Sequence, residues 1–232
     1  MNFYGLQKLT LLDFPQKTAC TLFTGGCNFR CPFCHNALLV TDISKDDIIP
    51  EEEILAFLEK RRGLLDGVCV TGGEPLLYKE LPDFLKKVKE LGFAVKIDTN
   101  GSFPDRLKSI IDGDLCDYAA VDIKNSREKY RMTVGVDNFD FSPIEKTINI
   151  LNGGSVPFEF RTTVTKEFHE ISDIESIAQM IAPAKNYFLQ QFKDSGNLIG
   201  EGLSPHSPET LEKMAKAASK YIPNVQIRGI DI

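Results

Sequence analysis

The sequence predicts an α/β fold, a partial (β/α)6 TIM-like barrel built on parallel strands. Apolar, strand-like segments alternate with amphipathic, helix-like segments six times along the chain. This alternation is typical of parallel strands joined by right-handed crossovers. Six units are too few for a closed eight-fold barrel, and a length of 232 residues suits an open α/β barrel formed by one domain. A flat, doubly wound sheet is the alternative.

The expected strands are short segments rich in apolar, β-branched and aromatic residues. The first of them is rich in Thr, Leu and Phe, and the second is a short segment of the fully buried type. A seventh segment near the end of the sequence is a candidate for a last strand. In chain order, the seven segments are residues 17–24, 67–71, 93–98, 118–123, 158–164, 187–192 and 225–228.

The expected helices follow these strands and carry helix start and stop signals. The first has three glutamates in its first turn and three basic residues in its last, and Gly63 follows it. Two others begin with a capping-box pattern, Ser142 with Glu145 and Ser172 with Glu175. The helices are expected at residues 50–62, 82–91, 104–111, 142–152, 172–181 and 207–221.

Composition and charge narrow the class of protein. The net charge is −6 and the pI is about 5.2, which argues against a nucleic-acid partner, because phosphate binding usually needs a basic surface. Residues 1–12 lack the pattern of a targeting segment, and no apolar run is long enough to span a bilayer. We therefore expect a cytoplasmic protein without a membrane partner, folded as one domain over residues 1–232.

Three of the six cysteines, Cys27, Cys31 and Cys34, lie within eight residues just after the first expected strand. Their spacing is C-x3-C-x2-C, and three thiolates on one loop can hold three irons of a cubane cluster. The fourth iron then has no protein ligand and is open to a substrate. A zinc site formed by these cysteines and His35 is the alternative, although no second ligand pair follows.

Polar residues also follow the next three strands. Their sequences are TGGEP at 71–75, DTNG at 98–101 and DIK at 122–124. Each segment alone is typical of a turn, a cap or a solvated charge. Because the carboxyl ends of parallel strands lie at one edge of a sheet, we expect all three to converge on the cysteine loop.

Together these motifs resemble the radical S-adenosylmethionine (SAM) superfamily, whose signature is C-x3-C-x2-C followed by Gly-Gly-Glu. The chain looks most like the glycyl-radical-enzyme activases, in particular the anaerobic ribonucleoside-triphosphate reductase activating group. The similarity covers nearly the whole chain. It is carried by GLQK at 5–8, DFP at 13–15 and TGGCNFRCPFCHN at 24–36.

The resemblance implies a role for each of these motifs. A [4Fe–4S] cluster would be ligated by Cys27, Cys31 and Cys34, with SAM chelating the open iron. Phe33 would lie near the adenine of SAM. The methionine ammonium group would be bound by the three residues of the second motif, Gly72, Gly73 and Glu74.

For the carboxylate of SAM, the resemblance implies a second group of residues. Asp98, Thr99 and Asp122 match activase positions that form a monovalent-cation site beside that carboxylate, and Lys124 matches a lysine that approaches it. Arg161 alternates with Phe160 and Thr162 along its strand, so its side chain points away from theirs and toward the same cavity. Gln190 is assigned there by its place near the end of the sixth strand.

The implied activity is that of an anaerobic oxidoreductase. A flavodoxin- or ferredoxin-type donor reduces the cluster, SAM is cleaved, and the resulting radical takes a hydrogen atom from a glycine of a partner enzyme, expected to be anaerobic ribonucleotide reductase. One alternative is a small-molecule enzyme such as a 7-carboxy-7-deazaguanine synthase-like one, and another is a zinc-binding interaction module. Many activases carry an inserted ferredoxin-like domain with eight extra cysteines. We expect no auxiliary-cluster domain here, because the remaining cysteines are isolated and read as small buried residues: Cys20, Cys69 and Cys116.

Overall fold

The computed structural model describes residues 1–44, 47–154, 156–194 and 196–229. Its main feature is an eight-stranded sheet with the order β10-β9-β8-β7-β6-β5-β3-β2. Seven of these strands are parallel, and β2 is antiparallel to β3. The strands are β2 (Gly5–Thr10), β3 (Ala19–Thr24), β5 (Gly67–Gly72), β6 (Ala94–Thr99), β7 (Tyr118–Asp122), β8 (Phe158–Val164), β9 (Asn186–Gln191) and β10 (Asn224–Arg228). The short strands β1 (Asn2–Phe3) and β4 (Ile49–Pro50) pair separately.

The helices mostly connect consecutive parallel strands. They are α1 (Leu38–Thr41), α2 (Glu51–Glu59), α3 (Leu81–Glu90), α4 (Pro104–Asp112), α5 (Arg127–Val134), α6 (Ser142–Asn152), α7 (Ile171–Ile181) and α8 (Pro208–Ala218). In α3, for example, Leu81, Phe84, Leu85 and Val88 recur at helical spacing and are fully buried. Each buried side chain of this size contributes about 1.5–3 kcal/mol of hydrophobic stabilisation.

The architecture confirms the predicted fold class. All six expected strand–helix units are present, and the candidate last strand is β10. The strands β2 and β10 are the two edges of the sheet, so the barrel remains open. The antiparallel extension β2 and the helix α5 were not predicted. The sequence of α5, REKYRMTV, is mostly polar and buries only Tyr130, Thr133 and Val134.

Two helix starts differ from the sequence prediction. The capping box of α7 is formed by Glu170 and Asp173 rather than by Ser172 and Glu175. Helix α6 begins without a side-chain cap, because Ser142 is already its first residue and donates both its amide and its hydroxyl to Asp140. A local S-x-x-E pattern therefore fails where a neighbouring carboxylate competes for the same hydrogen-bond donors.

The register of the sheet aligns the strand ends that carry the polar motifs. Thr24 at the end of β3 pairs with Gly72 at the end of β5, and Asp122 at the end of β7 pairs with Arg161 in β8. The segments that follow these strands therefore start from one edge of the sheet, as the sequence predicts.

Candidate active site

A cavity lies at the carboxyl ends of the parallel strands. Twelve of the thirteen site residues predicted from the sequence line it, and Glu74 is the exception. The twelve are Cys27, Cys31, Phe33, Cys34, Gly72, Gly73, Asp98, Thr99, Asp122, Lys124, Arg161 and Gln190. The fold thus brings together residues that are up to 163 positions apart in the sequence.

The cysteine loop is held in place by backbone contacts with the end of α5. The amide of Arg30 donates to the carbonyl of Val134 at 2.8 Å, at the end of α5. The next residue, Gly135, has φ +64°, and a Cβ there would lie 2.6 Å from the carbonyl oxygen of Arg30. Only glycine allows this close approach without strain. The unpredicted helix α5 therefore supports the loop.

The three thiols of the loop share the cavity. Cys31 is buried, whereas Cys27 and Cys34 are partly exposed. Burial raises the pKa of Cys31 to about 12, and it also raises the pKa values of Cys27 and Cys34. The bare thiols therefore keep their protons, which iron would have to displace on binding.

The donor set fits an iron–sulfur cluster better than a single metal ion. Within the part of the chain that the structure describes, no three His, Cys, Asp or Glu side chains are arranged to hold one ion. A cubane takes one thiolate at each of several irons, so its ligands line a cavity without meeting at one point. A zinc site would bring its ligands to one ion. His35 is the fourth ligand in the zinc alternative, and its ring packs near the ring of Phe192, with 5.9 Å between the ring centroids.

The two glycines of the second motif are required by close backbone packing. A Cβ on Gly73 would lie 1.8 Å from the carbonyl oxygen of Gly26, and one on Gly72, where φ is +116°, would lie 2.3 Å from the amide nitrogen of Thr24. The amide of Gly73 donates to the carbonyl of Thr24 at 2.8 Å. These glycines let the end of β5 lie directly against the segment that leads into the cysteine loop.

The structure gives Glu74 hydrogen-bond partners within the protein that the sequence does not predict. Its side chain is fully buried and does not line the cavity. One carboxylate oxygen accepts from the amide of Leu76 at 3.0 Å and from the hydroxyl of Thr99 at 2.8 Å, and the other accepts from the amide of Asn100 at 2.7 Å. Burial raises the pKa of Glu74 to about 7, and these donors oppose the rise. The carboxylate therefore fixes the turn after β6.

The charged residues at the base of the cavity form one network. The guanidinium group of Arg161 lies between two carboxylates, donating to Asp122 and to Asp98, each at 2.8 Å. Lys124 donates to Asp122 at 3.0 Å, and the buried Lys96 pairs with Asp98. Burial opposes ionisation of Asp122, but the adjacent Arg161 and Lys124 outweigh it and hold the pKa of Asp122 well below its ordinary value.

This network does not fit the monovalent cation implied by the resemblance. Such an ion would bind between Asp98 and Asp122, where the guanidinium group of Arg161 already lies. Three cationic and two anionic side chains leave one net positive charge in the network. The residues present are therefore matched to one added carboxylate rather than to an added cation.

The cavity also contains residues that the sequence analysis missed. Asn36 donates from its side-chain amide to the carbonyl of Gly72 at 2.8 Å, and Thr163 lines the cavity from β8. Asn100 lies between Asp98-Thr99 and Gly101, within a motif that was noticed, but its amide was not assigned a role. Its position next to two assigned residues was the available signal.

The other three cysteines lie apart from the loop, as expected of small buried residues. Cys20 lies in β3, Cys69 in β5 and Cys116 just before β7, and all three are buried free thiols. Burial raises the pKa of Cys20 and of Cys116 to about 12.

No helix within residues 1–44, 47–154, 156–194 and 196–229 is long and apolar enough to cross a membrane.

Comparisons with known proteins agree with this geometry. The family model described as the radical SAM superfamily matches residues 21–181. A protein of Methanocaldococcus jannaschii, provisionally named a glycyl-radical enzyme activating enzyme, is 34% identical over 98% of this chain and 95% of its own length. A 7-carboxy-7-deazaguanine synthase of Methanopyrus kandleri is 26% identical over 67% of this chain and 77% of its own. The crystal structure of a radical SAM methyltransferase from Sphaerobacter thermophilus has a similar fold, with a TM-score of 0.73 and 14% identity over 97% of this chain and 70% of that one.

Proposed function

The chain belongs to the radical SAM superfamily, and we propose that it is an activase that generates a glycyl radical on a partner enzyme. The observation that carries this proposal is the cavity shared by three thiols and a network with one net positive charge. The first group suits a cluster and the second suits the carboxylate of SAM. Similarity over almost the full length of a relative named as an activase supports the choice of substrate class.

In this proposal, Cys27, Cys31 and Cys34 ligate a [4Fe–4S] cluster. When bound and reduced, the cluster supplies the electron that cleaves SAM into methionine and a 5′-deoxyadenosyl radical, which takes a hydrogen atom from a glycine of the partner. Phe33 is 4% exposed, and its ring contacts Phe168 and His169 at centroid distances of 5.8 Å. It supplies an apolar wall beside the adenine, and this wall excludes water.

The remaining cavity residues hold the methionine part of SAM. Lys124 and Arg161 face the carboxylate, and Asp98 and Asp122 orient these two cations. The backbone carbonyl groups at Gly72 and Gly73 accept hydrogen bonds from the ammonium. The other two assigned residues contribute less directly. Thr99 stabilises the turn after β6 through its hydrogen bond to Glu74. Gln190 supplies a polar side chain at the cavity wall.

We propose a glycyl-radical enzyme, anaerobic ribonucleotide reductase first, as the protein substrate, and a flavodoxin- or ferredoxin-type protein as the electron donor. Neither a nucleic acid nor a membrane is part of this function. Free thiols at all six cysteines suit a reducing, cytoplasmic compartment. Residues 1–232 act as one radical SAM domain without an auxiliary cluster, because the cysteines outside the loop are buried singly.

A small-molecule radical SAM reaction is the second candidate, favoured by the similarity to a 7-carboxy-7-deazaguanine synthase. The two candidates differ in the size of the substrate that must reach the cluster. Partial exposure of Cys27 and Cys34, together with exposure of His35 between Cys34 and Asn36, suits a large substrate.

The test is to incubate the anaerobically reconstituted, reduced protein with SAM and purified glycyl-radical enzymes, beginning with anaerobic ribonucleoside-triphosphate reductase. We expect the EPR doublet of a glycyl radical on the partner, at a level that depends on SAM. A Cys31→Ala variant of this chain is the control and gives no doublet. Rapid turnover of a small heterocycle, with no doublet on any partner, would favour the second candidate.

A further inference from the structure

The side chain of Asn100 reaches the cysteine loop from the turn after β6. Asn100 is 6% exposed, and its amide nitrogen lies 3.6 Å from the sulfur of Cys27 and 2.9 Å from the side-chain oxygen of Asn28. The first distance is within the range of an N–H···S hydrogen bond, because sulfur is larger than oxygen. Among the described residues, the backbone amide of Phe29 also donates to this sulfur, at 3.4 Å.

Neighbouring hydrogen bonds fix the orientation of the Asn100 amide. Its oxygen accepts from both the backbone amide and the hydroxyl of Ser102, at 2.9 and 2.6 Å. The side-chain amide of Asn28 in turn donates to the same hydroxyl at 3.0 Å. With the oxygen directed at two donors, the NH₂ group must face Cys27, so the assignment of nitrogen and oxygen follows from the network.

The turn that carries Asn100 is anchored on its other side by Glu74. The backbone amide of Asn100 donates to Glu74 at 2.7 Å, and the hydroxyl of Thr99 donates to the same carboxylate. Gly101, with φ +77°, follows, and its carbonyl accepts from Thr147 at 2.7 Å. The donor to Cys27 is therefore held rigidly, and the buried Glu74 acts on the loop through this turn.

We propose that Asn100 is a positioning residue that donates a hydrogen bond to the Cys27 thiolate and thereby makes the cluster easier to reduce. This inference rests on the proposed function only in assuming a cluster at the three cysteines. A hydrogen bond to a ligating sulfur withdraws electron density from it and stabilises the more negative, reduced cluster more than the oxidised one. Loss of the bond moves the reduction potential to a more negative value.

The test compares two variants of the same network, reconstituted anaerobically and titrated potentiometrically with EPR detection in the absence of SAM. Asn100→Leu preserves the approximate shape and removes the donor to Cys27. The matched control Asn28→Ala removes a partner of Asn100 but leaves the donor to sulfur. We expect Asn100→Leu to require about a tenfold more reducing poise, which is 59 mV for one electron, and Asn28→Ala to titrate like the wild type.

An unchanged potential in Asn100→Leu, or an equal shift in Asn28→Ala, would overturn the proposal. Failure of the wild type to bind a cluster would instead contradict the proposed function. Iron content and absorbance measure cluster binding separately from the reduction potential. If Asn100→Leu does not assemble a cluster, the hydrogen bond from Asn100 to Cys27 is tested in the wild-type protein instead. With ¹⁵N in the asparagine side-chain amides, pulsed EPR of its reduced cluster should show a weak ¹⁵N coupling that persists in Asn28→Ala and Asn36→Ala. Absence of that coupling in the wild type would also overturn the proposal.

Discussion

The position of Arg161 between the two carboxylates predicts that the protein binds SAM without the help of a small monovalent cation. In Arg161→Met, both Asp98 and Asp122 lose a charge-assisted hydrogen bond, but each keeps one lysine partner, Lys96 or Lys124. The net charge of the network falls from one positive charge to zero. The variant should therefore bind SAM more weakly and should gain affinity for a small cation.

The magnitude follows from the geometry. Two hydrogen bonds between charged groups contribute about 1.5–3 kcal/mol each. Part of this is offset, because the buried guanidinium group no longer has to be desolvated. We expect a net loss of about 2–3 kcal/mol in the free energy of unfolding. Loss of one charged contact to the SAM carboxylate should raise the Kd by about 10- to 100-fold.

The assays are urea unfolding of the iron-free protein and calorimetric titration of the reconstituted protein with SAM. The titration is repeated in sodium, potassium and tetramethylammonium chloride at equal ionic strength. Wild-type affinity should be the same in all three salts, whereas Arg161→Met should bind SAM better in sodium or potassium. Arg161→Lys, which keeps the charge, is the control and should lie between them. A wild-type protein that needs sodium or potassium to bind SAM would refute this reasoning.

Three further predictions concern the cluster, the buried glutamate and a buried histidine. Cys27→Ala should lose the cluster, whereas Cys69→Ser should keep about four irons per chain by iron assay, and loss of iron from the second variant would contradict the ligand assignment. Glu74→Ala should lower the free energy of unfolding by about 2–4 kcal/mol, because it leaves buried backbone amides without acceptors. In calorimetry, the SAM affinity of the folded variant should change less than tenfold. A larger loss of affinity would indicate that Glu74 binds the ammonium group of SAM directly. Burial lowers the pKa of His169 from 6.5 to about 4, so the unfolded chain takes up a proton between these pH values and the folded protein does not. Stability should therefore fall by up to about 3 kcal/mol as the pH drops through that window, and His169→Gln should show a flatter urea-midpoint profile. An equally steep profile in that variant would exclude His169 as the cause.

The parts of the site that were predictable from the sequence are those fixed by strand order. Parallel strands bring their carboxyl ends to one edge, so the sequence alone assigns TGGE, DTNG and DIK to the edge of the sheet that carries the cysteine loop. The position of Arg161 followed from alternation along β8. These arguments need only the period of a strand and the direction of its neighbours.

Side-chain directions at the strand ends could not be predicted in the same way. Glu74 follows two glycines at the cavity edge, yet its carboxylate turns inward, because three donors from residues 76, 99 and 100 satisfy it there. Likewise, the pairing of Arg161 with Asp98 and Asp122 depends on contacts between three strands. Such choices depend on which partner satisfies a buried charge, and sequence periodicity does not contain that information.

Helix α5 illustrates a second limit. Its eight residues are mostly polar and bury only a short face, and the contact of Val134 and Gly135 with the cysteine loop also holds it. Tertiary contacts decide its conformation, and local propensity does not.

The most direct test of the central claim follows a hydrogen atom from the partner into the product of SAM cleavage. A glycyl-radical enzyme produced with [2,2-²H₂]glycine is incubated with the reduced protein and SAM, and 5′-deoxyadenosine is analysed by mass spectrometry. An activase should give 5′-deoxyadenosine carrying one deuterium, in an amount equal to the glycyl radical counted by EPR. Two results together would contradict the account. The 5′-deoxyadenosine would be unlabelled with every glycyl-radical enzyme tested, and the protein would rapidly turn over a small molecule when no partner enzyme is present.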